Sequence, residues 1–356
     1  MSKIGCLLLL CMGFLGVVAA GDDRAEVSLE SLFRSNSHVL KLEDGDLSGP
    51  GVEFLLAETV DAQFVCVAEP HNSQQIPMFV TSLFQRLQDD RSFDYLAIEQ
   101  GPLIVRRIAE LGQTSTNDEL RKLMKKRKKA LHFETFEEVA MIADVARLSS
   151  ATSPNVWGLD RVLDPSYVEQ WLASEDGRDD PEASFLRERM EWSAENFAMY
   201  KSKRDRGDGP SADQFREDGF KEGFRHYYDR VAAEGSPPPR VIFRFGHTHM
   251  GRVDYRSYAS LGRYLGEFAA QNDLRAFHLN LQAINQPGQY WSLTDYPEYE
   301  PLANVGDPAQ WVLVDLRPAR EPLRAGTVEA SQQLKRMVFN FDAVLLIGGL
   351  SKGGKL

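Results

Sequence analysis

Three stretches of the chain decide the fold: Phe64-Val-Cys-Val-Ala-Glu-Pro-His71, Tyr95-Leu-Ala-Ile-Glu-Gln-Gly101 and Val241-Ile-Phe-Arg-Phe-Gly-His-Thr-His249. Each begins with apolar, often β-branched residues, and this pattern is typical of strands that are covered on both faces of an α/β sheet. In such sheets, ligands bind in the crevice beyond the carboxyl ends of the strands. We therefore expect the ends of these stretches to meet in one active-site crevice. The side chains expected there are Glu69, His71, Glu99, His247 and His249.

Strands alternate with helices along most of the remaining chain. Further strands are predicted at Asn155–Asp160, Arg275–Leu281, Trp311–Leu316 and Ala343–Ile347, with helices between them. Residues 164–235 have an almost wholly helical pattern, with two long amphipathic stretches. This order predicts an α/β fold with a mixed, largely parallel sheet flanked by helices, and with a helical insert near the strand ends.

The first 20 residues have the pattern of a secretory signal peptide, with Lys3 before an apolar segment and Val18-Ala-Ala20 before the expected cleavage point. Such a segment is too short to be favoured as a membrane span, so we expect no transmembrane anchor. The mature protein is therefore predicted to be periplasmic or secreted. Residues 21–50 are predicted to be an N-terminal extension with little core before Val52, and 51–356 a single domain with its insert at 164–235.

Composition narrows the classes of function. The formal net charge is −11, which disfavours nucleic acid as a partner, so a small molecule or a peptide is the expected substrate. The basic run Lys125–Lys129 is expected to be a solvated helix face. Without residues 1–20 the chain keeps only Cys66, which is expected to be a buried apolar residue that forms no disulfide.

Glu69 and His71 follow directly on a predicted buried strand, with Pro70 stiffening the turn between them. A carboxylate that orients an imidazole raises its basicity, as a general base requires. The alternative is a loop that caps the next helix with Asn72 and Ser73.

Glu99 also ends a buried strand, where a carboxylate is costly without a partner or solvent. An ion pair with Arg106 or Arg107 is one interpretation, and a second acid/base group or a cation ligand is the other. Asp160 ends its strand in the same way and is expected to reach the same edge.

Gly246-His-Thr-His249 is the strongest local signal. If the strand continued, alternation would place both histidines on one side, where they would suit a metal or an acid/base pair. Gly246 permits a bend or a close approach by a ligand, and Arg244 and Arg252 are placed to hold a negative charge. The other histidines, His38, His132, His226 and His278, are expected to be structural.

The chain contains no P-loop, no G-x-G-x-x-G after a strand and no H-E-x-x-H pattern. The order of its motifs resembles the erythromycin esterase-like proteins, which are similar to the wider Tiki/ChaN-like haem-binding-uptake superfamily. The shared features are a strand ending in E-x-H, a strand ending in I-E, a W-G-L-D strand, a helical insert and a final G-H-x-H. The helix Arg189-Met-Glu-Trp-Ser-Ala-Glu-Asn196 also resembles an element of that family.

The resemblance implies that Glu69 and His71 activate water, that Glu99 is a second acid, and that His247 and His249 form the late histidine pair. Arg244, Asp160, Arg189 and Asn196 are the substrate-binding candidates, the last two from a helical lid. Two departures concern the first motif: Ala68 stands where the family usually has Gly, and macrolide esterases have E-x-x-H where this chain has E-x-H.

Three functions remain open. The first is an exported hydrolase of an ester or amide bond that uses a Glu/His-activated water and requires no cofactor. The second is a Tiki-like hydrolase or peptidase with a divalent metal (Mn, Co or Zn) on Glu69, His71, Glu99 and His247. The third is a non-catalytic ChaN-like haem-binding protein, with an exposed histidine or tyrosine as the iron ligand.

Overall fold

A computed structural model describes residues 28–149, 155–206, 210–234, 237–253, 258–285 and 292–356 of the chain, with only the backbone described for 203–206 and 210–211. These residues form one nine-stranded sheet. Its strands are β1 Ser37–Glu43, β2 Asp46–Ser48, β3 Ala62–Glu69, β4 Tyr95–Ile98, β5 Val156–Gly158, β6 Val241–Gly246, β7 Arg275–Ile284, β8 Trp311–Asp315 and β9 Ala343–Gly348. The predicted signal peptide 1–20 lies outside the described residues.

Fourteen α-helices surround this sheet in the described part of the chain. They are α1 Leu29–Ser35, α2 Pro50–Glu58, α3 Gln75–Arg91, α4 Pro102–Gly112, α5 Asn117–Lys125, α6 Phe136–Leu148, α7 Pro165–Ala173, α8 Glu175–Arg178, α9 Ala183–Arg206, α10 Pro210–Ala233, α11 Leu261–Gln271, α12 Glu300–Ala303, α13 Arg320–Ala325 and α14 Gln332–Asn340. Each of these helices is too short or too polar to cross a membrane.

The strand order is β2-β1-β8-β9-β7-β3-β6-β4-β5. The strands from β9 to β5 in this order are parallel, and β8 and β1 pair antiparallel beyond β9. The predicted fold class, a mixed and largely parallel α/β sheet with flanking helices, is therefore confirmed. Because β3, β6, β4 and β5 are parallel neighbours, their carboxyl ends lie side by side at one edge.

The sheet separates two apolar cores, and β3 shows how alternation builds both. Val65 and Val67 face the core beneath α3, α4 and α6. Phe64, Cys66 and Ala68 face the opposite core, beneath α10, α11 and α14. Cys66 is fully buried, and burial raises the pKa of its thiol, so it is the inert apolar residue that the sequence predicts.

The expectation that little before Val52 belongs to the core is wrong for residues 28–50. Leu29 and Phe33 of α1 and Leu40 of β1 are buried, and β1 pairs with β8 in the main sheet. The sequence signal is weak because β1, which lies between the short edge strand β2 and β8, has only one buried residue, Leu40. Its burial pattern therefore lacks the clear apolar run of a central strand.

Local capping fixes the start of two helices. Thr116 and Glu119 form a reciprocal capping box at the start of α5, which ends at Lys125. The side chain of Ser260 caps α11, which begins at Leu261.

Candidate functional site

Five side chains form a chain of alternating carboxylates and imidazoles at the carboxyl ends of β3, β4 and β6. His71 Nδ1 lies 3.0 Å from Glu69 Oε1, and its Nε2 lies 3.5 Å from Glu99 Oε2. On the other side, His249 Nε2 lies 3.5 Å from Glu99 Oε1, and its Nδ1 bonds to Glu217. Glu99 therefore stands between two imidazoles, each of which has its own second carboxylate.

The turn after β3 places the first pair of this chain. The strand continues through Glu69, and Asn72 then adopts the left-handed conformation, with φ of 64°. The ring of His71 stacks on Phe133, with ring centroids 4.1 Å apart. The imidazole is thereby fixed between a carboxylate and an aromatic ring, with 28% of its side chain exposed.

Residues 351–356 support the loop after β3 and the start of α6. Ser351 accepts a hydrogen bond at 2.9 Å from the amide of Gln74, and Lys352 forms a bridge with Ser73. Gly354 accepts one at 2.8 Å from the amide of Phe136, close to Phe133. We name residues 351–356 the C-terminal segment.

Gly246 is where the backbone of β6 approaches this cluster. It lies opposite Glu69 in the sheet, and its N–H donates to Glu99 Oε2 at 2.8 Å. A Cβ on Gly246 would lie 2.6 Å from His71 Nε2, which is shorter than any allowed contact. Only glycine therefore permits His71 to occupy this position.

Two arginines, the buried Arg244 and the partly buried Arg216, pair with the carboxylates of the cluster. Arg244 of β6 donates to Glu69 at 2.8 Å and also pairs with Glu138 of α6. Arg216 of α10 donates to Glu99 at 2.8 Å and also pairs with Asp160. A buried carboxylate stays ionised only with such a partner, so these guanidinium groups fix the charge of the site.

Arg216 and Glu217 are site residues that the sequence analysis missed. They are adjacent on α10, within the predicted insert, and they contact Glu99 and His249 respectively. In the sequence they look like ordinary charged residues of an amphipathic helix, and no local pattern marks them. The insert thus lies at the strand ends, as the fold prediction states.

The alternative partners proposed for Glu99 are wrong. Arg106 pairs with Asp180 and Glu110, and Arg107 also pairs with Glu110. Both arginines lie on α4, which starts beyond β4 and turns these side chains away from Glu99, so the partner comes instead from the insert.

Asp160 and His132 extend the cluster beyond Arg216. His132 Nε2 lies 3.3 Å from Asp160 Oδ2, and the His132 amide donates to Gln100 at 2.8 Å. Asp160 is wholly buried and also accepts a hydrogen bond from the amide of Arg161 at 2.7 Å. Its contacts in the structure are thus with protein groups, and a role in binding substrate stays a prediction.

The charges around Glu99 shift the pKa values of all three central groups. Burial would raise the pKa of Glu99, but His249, His71 and Arg216 outweigh it and lower the pKa to about 2. Burial would lower the pKa of His71, yet Glu99 and Glu69 raise it above its usual value of 6.5. The pKa of His249 is raised in the same way, since Glu99 and Glu217 oppose the effect of burial.

His247 and His249 do not form one pair. The strand ends at Gly246, whose carbonyl accepts a hydrogen bond at 2.9 Å from the His249 amide, so the chain turns and strand alternation no longer applies. His249 reaches Glu99, whereas His247 lines a cavity with Asn280 and Gln282. The expectation that both histidines lie on one side is therefore wrong.

Arg189 and Asn196 of α9 are buried and bonded to protein groups. Arg189 donates to the carbonyls of Leu159 and Gly219, each at 2.9 Å. Asn196 donates to the Ala212 carbonyl at 2.9 Å and accepts from Arg161 at 3.3 Å. These bonds tie the insert to the end of β5. Contact of either residue with substrate stays a prediction, as it does for Arg244, which is 2% exposed.

The residues proposed to hold a metal do not fit that role. His247 faces a separate cavity, and Glu69 and Glu99 are each bonded to a guanidinium group. A carboxylate neutralised by arginine has little charge to offer a cation. Across the described ranges, no group of three or more His, Cys, Asp or Glu side chains is arranged to hold a metal ion. Haem binding stays a prediction.

Comparisons with known proteins identify relatives by structure alone. No protein-family model matches the chain, and no curated protein matches it in sequence. An erythromycin esterase, the mutant EreC in its open conformation, is similar with a TM-score of 0.62 and 14% identity, over 89% of this chain and 98% of that one. A Bacillus cereus protein is similar with a TM-score of 0.60 and 14% identity, over 92% of this chain and 98% of that one. A succinoglycan biosynthesis protein is similar with a TM-score of 0.56 and 15% identity, over 92% of this chain and 97% of that one.

These likenesses cover almost the whole described chain. At such low identity they establish a shared fold and nothing finer. The resemblance to erythromycin esterase-like proteins is thus confirmed at the level of the fold.

We expect Glu99→Gln to lower the pKa of both His71 and His249, because it removes the carboxylate that most favours their protonated forms. Glu69→Gln should lower only that of His71, and Glu217→Gln only that of His249. NMR titration of the ring Cε1–H signals measures each value. If Glu99→Gln shifted neither histidine in a folded protein, the shared position of Glu99 would be contradicted.

Proposed function

We propose that this protein hydrolyses an ester or amide bond in a small-molecule or peptide substrate, with a water molecule that His71 activates. The observation that carries the proposal is the position of His71. Its Nδ1 is held by buried Glu69, and its partly exposed ring lies at the sheet edge where substrates reach α/β sheets. A carboxylate-oriented imidazole that water can reach is the arrangement that general-base catalysis requires.

In the first step, neutral His71 accepts a proton from water at Nε2 while Nδ1–H donates to Glu69. The hydroxide attacks the carbonyl carbon and forms a tetrahedral oxyanion. The proposal places the attacking water at Nε2, which lies 3.5 Å from Glu99. Arg244 holds Glu69 in place as a positioning residue.

In the second step, protonated His249 stabilises the oxyanion and donates its Nε2 proton to the leaving alkoxide or amine. Glu99 and Glu217 raise the pKa of His249, which favours the protonated form that this step requires. The step leaves His249 neutral and His71 protonated. Glu99 lies between the two Nε2 atoms, so a proton can return through it and restore both groups.

Water is the nucleophile that suits this site best. The G-x-S-x-G stretch Gly349–Gly353 follows β9 but opens no helix, so it lacks the strand–turn–helix form of a nucleophile elbow. Cys66 is buried within β3 with a raised thiol pKa. An erythromycin esterase with the same fold supports hydrolysis as the reaction class. The E-x-H motif, which replaces the E-x-x-H of macrolide esterases, is the reason that we do not assign a macrolide as the substrate.

The proposal includes export to the periplasm or the exterior, based on the apolar segment that ends at Val18-Ala-Ala20. We expect protein recovered after expression with residues 1–20 present to begin at Gly21. N-terminal sequencing of the mature protein measures this. A mature protein that still begins at Met1 and stays inside the cell would contradict export without affecting the proposed reaction.

We expect His71→Ala to lower kcat/KM by about 100- to 10,000-fold, the contribution typical of a general base. The substrate would first be found by screening p-nitrophenyl esters and anilides. His38→Ala is the matched control, since His38 lies in β1 and stacks on Phe54 of α2. Full activity in a folded His71→Ala variant would contradict the proposal.

The rate should depend on pH in a bell shape, because His71 must be neutral and His249 protonated. Activity should fall on acidification through the raised pKa of His71, and on alkalinisation through that of His249. Glu69→Gln should move the acid limb to lower pH, whereas Glu217→Gln should move the alkaline limb to lower pH. An unchanged profile in both variants contradicts these assignments.

A further inference from the structure

A cavity of about 370 Å³ lies on the opposite face of the sheet from Glu69. Asn280 of β7 lies beside Ala68 of β3, so its side chain faces the core beneath α14, whereas Glu69 faces the other core. The cavity lies between this part of β7, helix α14 and residues 293–299. Its volume is in the range of small-molecule sites.

A buried amide pair in the cavity wall has unused hydrogen-bonding capacity. Gln282 Nε2 donates to Asn280 Oδ1 at 3.0 Å, and Gln282 Oε1 is buried without a partner in the described part of the chain. Gln282 is only 4% exposed, so bulk water does not readily replace that partner. The structure thus leaves an acceptor at the wall of a cavity.

The orientation of the two amides does not change this conclusion. If both amides were flipped, Asn280 would donate to Gln282, and the Nε2 of Gln282 would be the atom without a partner. A ligand group that can both donate and accept would therefore satisfy the pair in either orientation. A hydroxyl group does both.

The remaining wall selects against a charged ligand. Arg336 and Glu298 contribute one charge of each sign, and the rest of the wall is neutral when His247 is neutral. Tyr296, Tyr299 and Met337 offer aromatic and apolar surface for the C–H face of a ring.

We propose that this cavity binds a neutral, hydroxyl-bearing ring compound, such as a glycoside. His247 lines the cavity and directly follows Gly246, so the ligand would lie close to the cluster around Glu99 without replacing any part of it. The inference goes beyond the proposed hydrolysis and does not depend on it. It also gives His247 a binding role in place of the catalytic role expected from the sequence.

The experiment uses the whole protein and saturation-transfer NMR with three probes: methyl β-D-glucopyranoside, methyl β-D-galactopyranoside and methyl α-L-rhamnopyranoside. Cyclohexanol, with one hydroxyl, and methyl β-D-glucuronide, with a charge, are the comparison compounds. We expect at least one glycoside to bind with a dissociation constant at least tenfold lower than both comparison compounds. If all three glycosides bind no better than cyclohexanol, the proposal is overturned.

Variants of the cavity wall test whether the glycoside binds in this cavity. Gln282→Met removes the amide while keeping its length, and Met337→Trp fills the cavity from α14, so each should weaken glycoside binding at least tenfold. Gln63→Met is the matched control, since Gln63 is also a buried glutamine of the sheet with an unpartnered Oε1 in the described structure, but it does not line this cavity. It should leave binding unchanged.

His71→Ala should bind the glycoside as the unaltered protein does, which separates this inference from the proposed reaction. Because Met337→Trp acts on a different wall, it tests the site even if Gln282→Met fails to fold. Binding that persists in a folded Met337→Trp variant would place the ligand elsewhere and overturn the assignment.

Discussion

A carboxylate that is buried at the end of a strand must be compensated by its neighbours, and Glu99 is compensated from three elements at once. Gly246 of β6 donates its amide, Arg216 of α10 donates a guanidinium proton, and the two imidazoles lie 3.5 Å from its oxygens. Because an uncompensated buried charge is costly, β4, β6 and the insert are constrained to one arrangement. The candidate site is a consequence of that constraint.

The same arrangement keeps a charged site apart from a cavity with a largely neutral wall. Charged groups converge at the strand ends, where Arg244 pairs with Glu69 and Arg216 pairs with Glu99. Neutral amides and aromatic rings line the cavity beneath α14. His247 and His249 are two residues apart and belong to different environments, because the turn at Gly246 separates their side chains.

Much of this architecture could be predicted from the sequence, and the part that could not has a physical reason. Apolar runs that end in Glu or His identify central strands, since such strands are covered on both faces and their ends meet at one edge. The side chains that contact those strand ends could not be predicted. Which side of α10 faces Glu99 depends on how the helix packs, so Arg216 and Glu217 resemble any solvated charges in a helical pattern. Strand β1, next to the edge strand β2, could not be predicted because Leu40 is its only buried residue.

The C-terminal segment makes the reactive edge depend on parts of the chain that are far apart in sequence. Residues 351–356 hydrogen-bond the loop after β3 and the start of α6, which flank His71 and Phe133. Bringing such distant segments together costs conformational entropy. Loss of these few contacts would therefore loosen the candidate site while leaving both apolar cores covered.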